Sequence, residues 1–341
     1  MSRVTPSRRP GLTERWRATI DGHVIDAAWS PDGQRLAVAS VDGPITIFDG
    51  TTGTVQHELA GHNFGTAEVS WNADSTLLAS AGQDGKVRVW DADSGDERAA
   101  LDGGASWVEH VAWCPHAPLL ATAAGRKLRI WNDAFELIQA YPDQPSTIGA
   151  LAWDPQSGVV ATAAYAVMRL WSPQQDTPVL ELPWQGSVLV IAWSPNGKYI
   201  ATGDQDATVH FWYVADAEDL QMSGYPTKVR ELAWDPSSQY LATGGGPDVL
   251  IWNCGGKGPE GTRPRHLMGH DAYLSALAYQ HRGPLLASGC QAGRLSLWPA
   301  RRSKPLATTE LGSEITRLRW SPDDTHLAAT TSGGDVVVLV I

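Results

Sequence analysis

The residue types that do chemistry are scattered along this 341-residue chain in spacings that serve none of the familiar reactions. The string Gly256-Lys257-Gly258-Pro259-Glu260-Gly261 satisfies GxGxxG. A dinucleotide fingerprint needs that string to leave a strand and open a helix, so that backbone amides meet the pyrophosphate. Here "TRPRHLMGH" follows, with Pro264 inside it, and the segment reads as a long hairpin loop. No HExxH, GxSxG, CxxC or GxxxxGKS/T pattern occurs, and no Ser/His/Asp triad can be picked out. The three cysteines, Cys114, Cys254 and Cys290, are far apart and odd in number, which gives neither a disulfide framework nor zinc-ligand spacing. The chain therefore reads as a binding module, with no catalytic residue and no cofactor.

Composition narrows what it could bind. The 37 acidic residues outnumber the 26 Lys and Arg, for a net charge of -11, which argues against general duplex DNA binding. The start, "MSRVTPSRRPGLTER", is basic and polar with no apolar run after it, unlike a signal peptide. Nothing elsewhere approaches a membrane span. With so few cysteines, a reducing, cytoplasmic setting is expected. Residues 1–13 read as a flexible basic tail and 14–341 as one domain.

The elements that must position any site repeat along the chain. Aromatics end an apolar strand at Trp29, Trp71, Trp113, Trp153, Trp193, Trp234, Tyr279 and Trp320, in steps of 40 to 45 residues. Each is followed by a turn such as "SPDG", "NADS" or "SPNG" and a strand such as "RLAVAS" or "LLASAG". A third strand ends at Phe48, Trp90, Trp131, Trp171, Trp212, Trp252 and Trp298, with Leu339 in that place in the last unit. Period-2 patterning between turn residues marks β-strands, and no helix-period segment intervenes.

These eight units resemble the WD40-repeat family, through the "AWSPDG"-like first strand, "LASAGQDGKVRVWD" (78–91) and the pairs Gly61-His62 and Gly269-His270. The resemblance implies an all-β propeller with four strands per blade. Eight blades are expected, with "RWRATI" (15–20) serving as the outer strand of the last blade and closing the ring. Seven blades plus an extra hairpin is the alternative. Thirteen of the sixteen tryptophans fall in the two aromatic series and are packing residues between blades; only Trp16, Trp107 and Trp184 remain. The family's buried network is complete in the second unit, as His62, Ser80, Asp84 and Trp90, and is read as structural rather than catalytic. The seventh unit keeps His270, Ser288 and Trp298 but has Ala292 for the aspartate.

The resemblance also implies that loops on one face, the top, recognise protein segments. Counting back six and four residues from each first-strand aromatic selects Trp107, Lys228 and Tyr273, then Glu109 and Arg230. Trp184 and Tyr225 stand where the histidine would, and Gln83, Gln205 and Gln291 mark the turns between second and third strands. On the opposite face, the third-to-fourth-strand loops "NCGGKGPEGTRPRH" and "PARRSKP" bring together Lys257, Arg263, Arg265, Arg301, Arg302 and Lys304. Arg3, Arg8, Arg9 and Arg15 of the amino-terminal segment are expected beside them. Clustered charge of one sign steers a partner of the other, here an acidic protein segment or a nucleic-acid backbone. The expected function is a non-catalytic scaffold or adaptor for protein partners. The alternative is an accessory to a metal- or nucleotide-handling enzyme, holding a small ligand or metal in the central channel near His23 or His110.

Overall fold

In the computed structural model, residues 11–256 and 258–341 are described, and they form eight four-stranded antiparallel sheets. Seven sheets are consecutive in sequence, from Val24–Trp29 as the inner strand of blade one to Ala307–Glu310 as the outer strand of blade seven. The eighth is built from both ends of the chain. Ile315–Trp320, His326–Thr331 and Asp335–Val340 supply three strands, and Thr13–Thr19 pairs with the last of them, running from Thr13↔Val340 to Thr19↔Asp335. The ring therefore has eight blades, and the seven-plus-hairpin alternative does not hold. Met1–Pro10, with Arg3, Arg8 and Arg9, lie outside the described residues, as does Lys257.

Burial changes across each blade in step with the sequence. Second strands such as Leu77–Gly82 and Leu119–Ala124 have neighbours on both faces, so they read as short runs of small apolar residues, buried after the first position. Outer strands such as Glu97–Asp102 are mostly exposed and carry charged or polar residues at their ends. The core is not one mass. Eight apolar clusters each lie between adjoining blades, the last joining Val336 and Val338 of blade eight to Leu36 and Phe48 of blade one.

The two aromatic series hold this ring in different ways. Inner-strand indoles tie one blade to the one before it: Trp71 Nε1 donates to the Ala28 carbonyl at 3.0 Å, Trp153 to Ala112, Trp193 to Ala152, Trp234 to Ala192 and Trp320 to Ala278. Trp29 closes the circle by donating to Arg319 of blade eight at 3.0 Å. Trp16, on the closing strand, is buried against Phe48 and donates to the Gly50 carbonyl, so it pins blade eight to blade one. A Cβ on Gly53 (φ +74) would meet the Trp16 ring at 2.5 Å, which makes glycine necessary there.

Candidate interaction surface

The inner strands surround a central channel of about 920 Å³. Its wall carries Asp26, Glu68 and His110 on blades one to three, Lys228, Arg230 and Glu231 on blade six, and Glu314, Arg317 and Arg319 on blade eight. Most of these charges are already engaged. Arg317 and Arg319 both reach Asp26 Oδ1, at 3.0 and 3.3 Å. His110 Nδ1 lies 3.3 Å from Glu68 Oε2, which also accepts the Val111 amide at 2.9 Å. Crowding in the wall opposes charge on His110, but the Glu68 and Glu109 carboxylates more than offset it and its pKa lies above the usual histidine value. Lys228 and Arg230 are exposed and have no ion pair among the described residues. No three His, Cys, Asp or Glu side chains among the described residues converge in a metal-holding arrangement.

The structure scatters the top-face candidates rather than gathering them. Lys228, Arg230, Tyr273 and Gln291 line the channel mouth on the side of blades six and seven. Trp107 stands outside the channel at 57% exposure, and Gln205 is exposed on blade five. Gln83 is half-buried beside Gly65. Glu109 turns back into its own blade, accepting the Gly125 amide at 2.8 Å. Two candidates are not open to a partner as expected. Tyr225 is buried, its hydroxyl accepting Trp252 Nε1 at 3.0 Å and lying 3.0 Å from Thr243 Oγ1. It does for blade six what a histidine and serine do for blade two, and burial pushes its pKa up to about 12. Trp184 is half-buried, its ring set against His210 with centroids 3.4 Å apart and the planes tilted by 40°.

In blade two, His62 Nδ1 lies 2.8 Å from Asp84 Oδ1 and Nε2 lies 2.8 Å from Ser80 Oγ, which accepts Trp90 Nε1 at 2.9 Å. Asp84 can only accept while ionised, so His62 donates through Nδ1 and accepts from Ser80 through Nε2. Burial lowers the His62 pKa despite Asp84, in keeping with that neutral form. In blade seven His270 Nε2 keeps Ser288 at 2.6 Å, but with Ala292 in place of the aspartate Nδ1 has no partner among the described residues. Burial and Arg294 bring the His270 pKa down to about 4.

On the opposite face the two basic loops touch, with Arg265 Nη2 donating to the Ala300 carbonyl at 2.6 Å. Arg263, Arg301, Arg302 and Lys304 are exposed around that contact. Arg15 is not with them. It donates to the Thr51 carbonyl of blade one at 2.7 Å, because the closing strand that carries it lies against that blade. The GxGxxG string lies in the loop between the third and outer strands of blade six, with no helix after it.

Three exposed top-loop residues escaped the sequence reading: Phe64, Tyr165 and Met268, at 85%, 60% and 71% exposure. Tyr165 occupies the turn position held by Gln83, Gln205 and Gln291, and Phe64 lies one step beyond the ring counted six residues back, so the same periodic count reaches both.

Comparison with known proteins agrees with this architecture. Residues 53–91, 95–132, 177–213, 219–253 and 261–299, together more than half of the chain, match the family described as WD domain, G-beta repeat. Residues 14–65 match the Anaphase-promoting complex subunit 4 WD40 domain. The WD repeat-containing protein VIP3 of Arabidopsis thaliana is 50% identical over 40 residues, which is 12% of each chain. The small ribosomal subunit protein RACK1 of Candida albicans is 36% identical over 67 residues, spanning 20% of this chain and 21% of that protein. The crystal structure of the computationally designed Ika8 protein superposes with a TM-score of 0.82 at 20% identity, over 95% of this chain and 98% of that one, a likeness of fold alone. No helix among the described residues is long and apolar enough to cross a membrane. By its repeats and its closed ring of four-stranded blades, the chain belongs to the WD40-repeat family.

Proposed function

We propose that this protein is a non-catalytic cytoplasmic scaffold that holds protein partners on the top face of its ring. One observation carries the reading: the channel mouth presents Lys228, Arg230 and Tyr273, exposed, with both cations outside any ion pair among the described residues, while most other charges of the wall are spent on one another. Aromatic and arginine side chains of that kind dominate the energetics of protein interfaces. The test is affinity purification with quantitative mass spectrometry, comparing the native sequence with a Trp107→Ala/Arg230→Glu double variant. Partners lost with the double variant support the reading; unchanged recovery of every partner removes this face from the function.

The basic loops of blades six and seven support a second docking site, for an acidic protein segment, through Arg263, Arg265, Arg301, Arg302 and Lys304. Four of these cations are exposed on a protein of net charge -11. Binding there should weaken steeply as salt is raised, since exposed charges are screened over about 10 Å at 0.1 M. Binding that is indifferent to salt rules it out, and retention on a nucleic-acid column would redirect it to a phosphate backbone.

A further inference from the structure

The exposed apolar side chains are unevenly placed. The four most exposed large ones, Phe64, Met268, Tyr165 and Trp107, all stand at the top ends of strands or in top loops. Three of them follow one another around the ring: Phe64 in the loop entering blade two, Trp107 in the loop entering blade three and Tyr165 in a turn of blade four. None lines the channel, so together they form an open aromatic arc outside its mouth.

Phe64 is held outward by its backbone. Its φ is +67, a left-handed conformation that bulky residues rarely adopt, and among the described residues no other ring packs on it to offset the cost. The loop around it is tight rather than slack. The Gln83 amide donates to the Gly65 carbonyl at 3.0 Å, and a Cβ on Gly65 would meet the Val41 carbonyl at 2.5 Å. A strained, rigid loop that presents a bare aromatic is what a preorganised contact requires.

We propose that the arc Phe64–Trp107–Tyr165 docks an extended protein segment through its bulky apolar side chains, while an acidic side chain of the same segment crosses the channel mouth to Lys228 and Arg230. The inference rests on the top-face reading above and adds the chemistry of the segment. Three rings on successive blades are too open to enclose a small ligand, which needs a concave site, but suit a chain laid along the rim. The acid is required by charge complementarity, because Lys228 and Arg230 are the exposed cations of the channel mouth without ion pairs. A net charge of -11 disfavours an anionic lipid surface.

A library of short random peptides displayed on phage is selected on the purified full-length protein, and enriched peptides are measured by fluorescence anisotropy. The expected peptides carry at least two bulky apolar residues and one Asp or Glu. Affinity should fall about tenfold or more for Phe64→Ala, Trp107→Ala and Tyr165→Ala, and by a similar factor for Arg230→Glu. Arg301→Glu on the opposite face should leave it unchanged. Thermal melts show whether each variant is folded, and Phe64→Ser serves as a second probe of the same ring. Peptides that need Arg230 but not the arc overturn this inference and leave the top-face reading intact. Enrichment only of peptides indifferent to both overturns the two together. Self-association that the arc alanines abolish, measured by sedimentation, would assign the arc to a second copy of the chain and overturn the peptide.

Discussion

Blades two and five have the same strand plan and nearly the same pattern of residue types, yet they settle their buried polar groups in opposite ways. In blade two every member of the His62–Ser80–Asp84–Trp90 chain is partnered. In blade five Trp184 stands where the histidine would, and the tether found in five other blades is broken. Trp212 Nε1 and Thr202 Oγ1 have no partner among the described residues, whereas Trp90, Trp131, Trp171 and Trp298 each donate to a Ser or Thr of the second strand and Trp252 donates to Tyr225. His210 fills the space under Trp184, holding Asp219 at 3.0 Å through Nδ1 and leaving Nε2 unpaired. Asp204 takes the place of Gly82 and is fully buried, with Oδ1 unpartnered. Burial and Asp206 push the Asp204 pKa up to about 7, against the hydrogen bond it accepts from the Thr208 hydroxyl. The lesson is that ring closure tolerates one poorly satisfied blade, because its neighbours supply the packing on both faces.

The strongest effect expected from this contrast is at Asp204. Its folded pKa lies above the ordinary value, so the native state keeps a proton that the unfolded chain releases, and stability falls as pH rises from about 4 through about 7. Asp204→Asn should remove that slope and stabilise the protein by a few kcal/mol, on the order of 2–4, at pH 8, with little effect at pH 4. Urea unfolding at the two pH values reads the difference; equal effects at both would refute the assignment. His270 works in the opposite direction. Its depressed pKa means stability is full above about 6.5 and drains as pH falls toward about 4, so His270→Gln should flatten only the acid limb of the stability profile.

A matched pair of hydroxyl deletions isolates the network itself. Ser80→Ala strips a partner from both His62 and Trp90 and should cost about 2 kcal/mol, whereas Thr202→Val, whose hydroxyl accepts no indole, should cost less than about 0.5 kcal/mol. Comparable losses at the two sites would show that blade five is tethered after all. The smallest contrast is Trp90→Phe against Trp212→Phe. Both remove the same volume, but the first also removes a made hydrogen bond, so it should be worse by about 1 kcal/mol in chemical denaturation.

Much of this was legible beforehand. Eight aromatics in steps of 40 to 45 residues imply eight equivalent sheets, and the lone strand before Val24 has the right pattern to complete the last. The resemblance to the WD40-repeat family also marks Asp84 and His62 as a structural pair. It was less able to predict exposure. Trp184 and Tyr225 break the histidine pattern, yet both side chains turn inward, Tyr225 toward Trp252 and Trp184 onto His210. Glu109 holds a position that the repeat places on the top face, but the Gly125 amide captures it. Phe64 lies at a loop position whose counterparts in other units are small or polar, Tyr165 at one whose counterparts are small or polar apart from Val41, and the path of each turn shows that they face solvent.

Sequence alone determined the number of blades, their order and the strand that closes them, because those follow from local alternation of apolar and turn residues repeated along the chain. Tertiary structure decided which loop side chains are free. Whether a polar or aromatic group at a blade's end is spent inside the ring depends on what the later strands and turns of the same blade offer it, and for Glu109 and Tyr225 those partners lie 16 to 27 residues on in the chain.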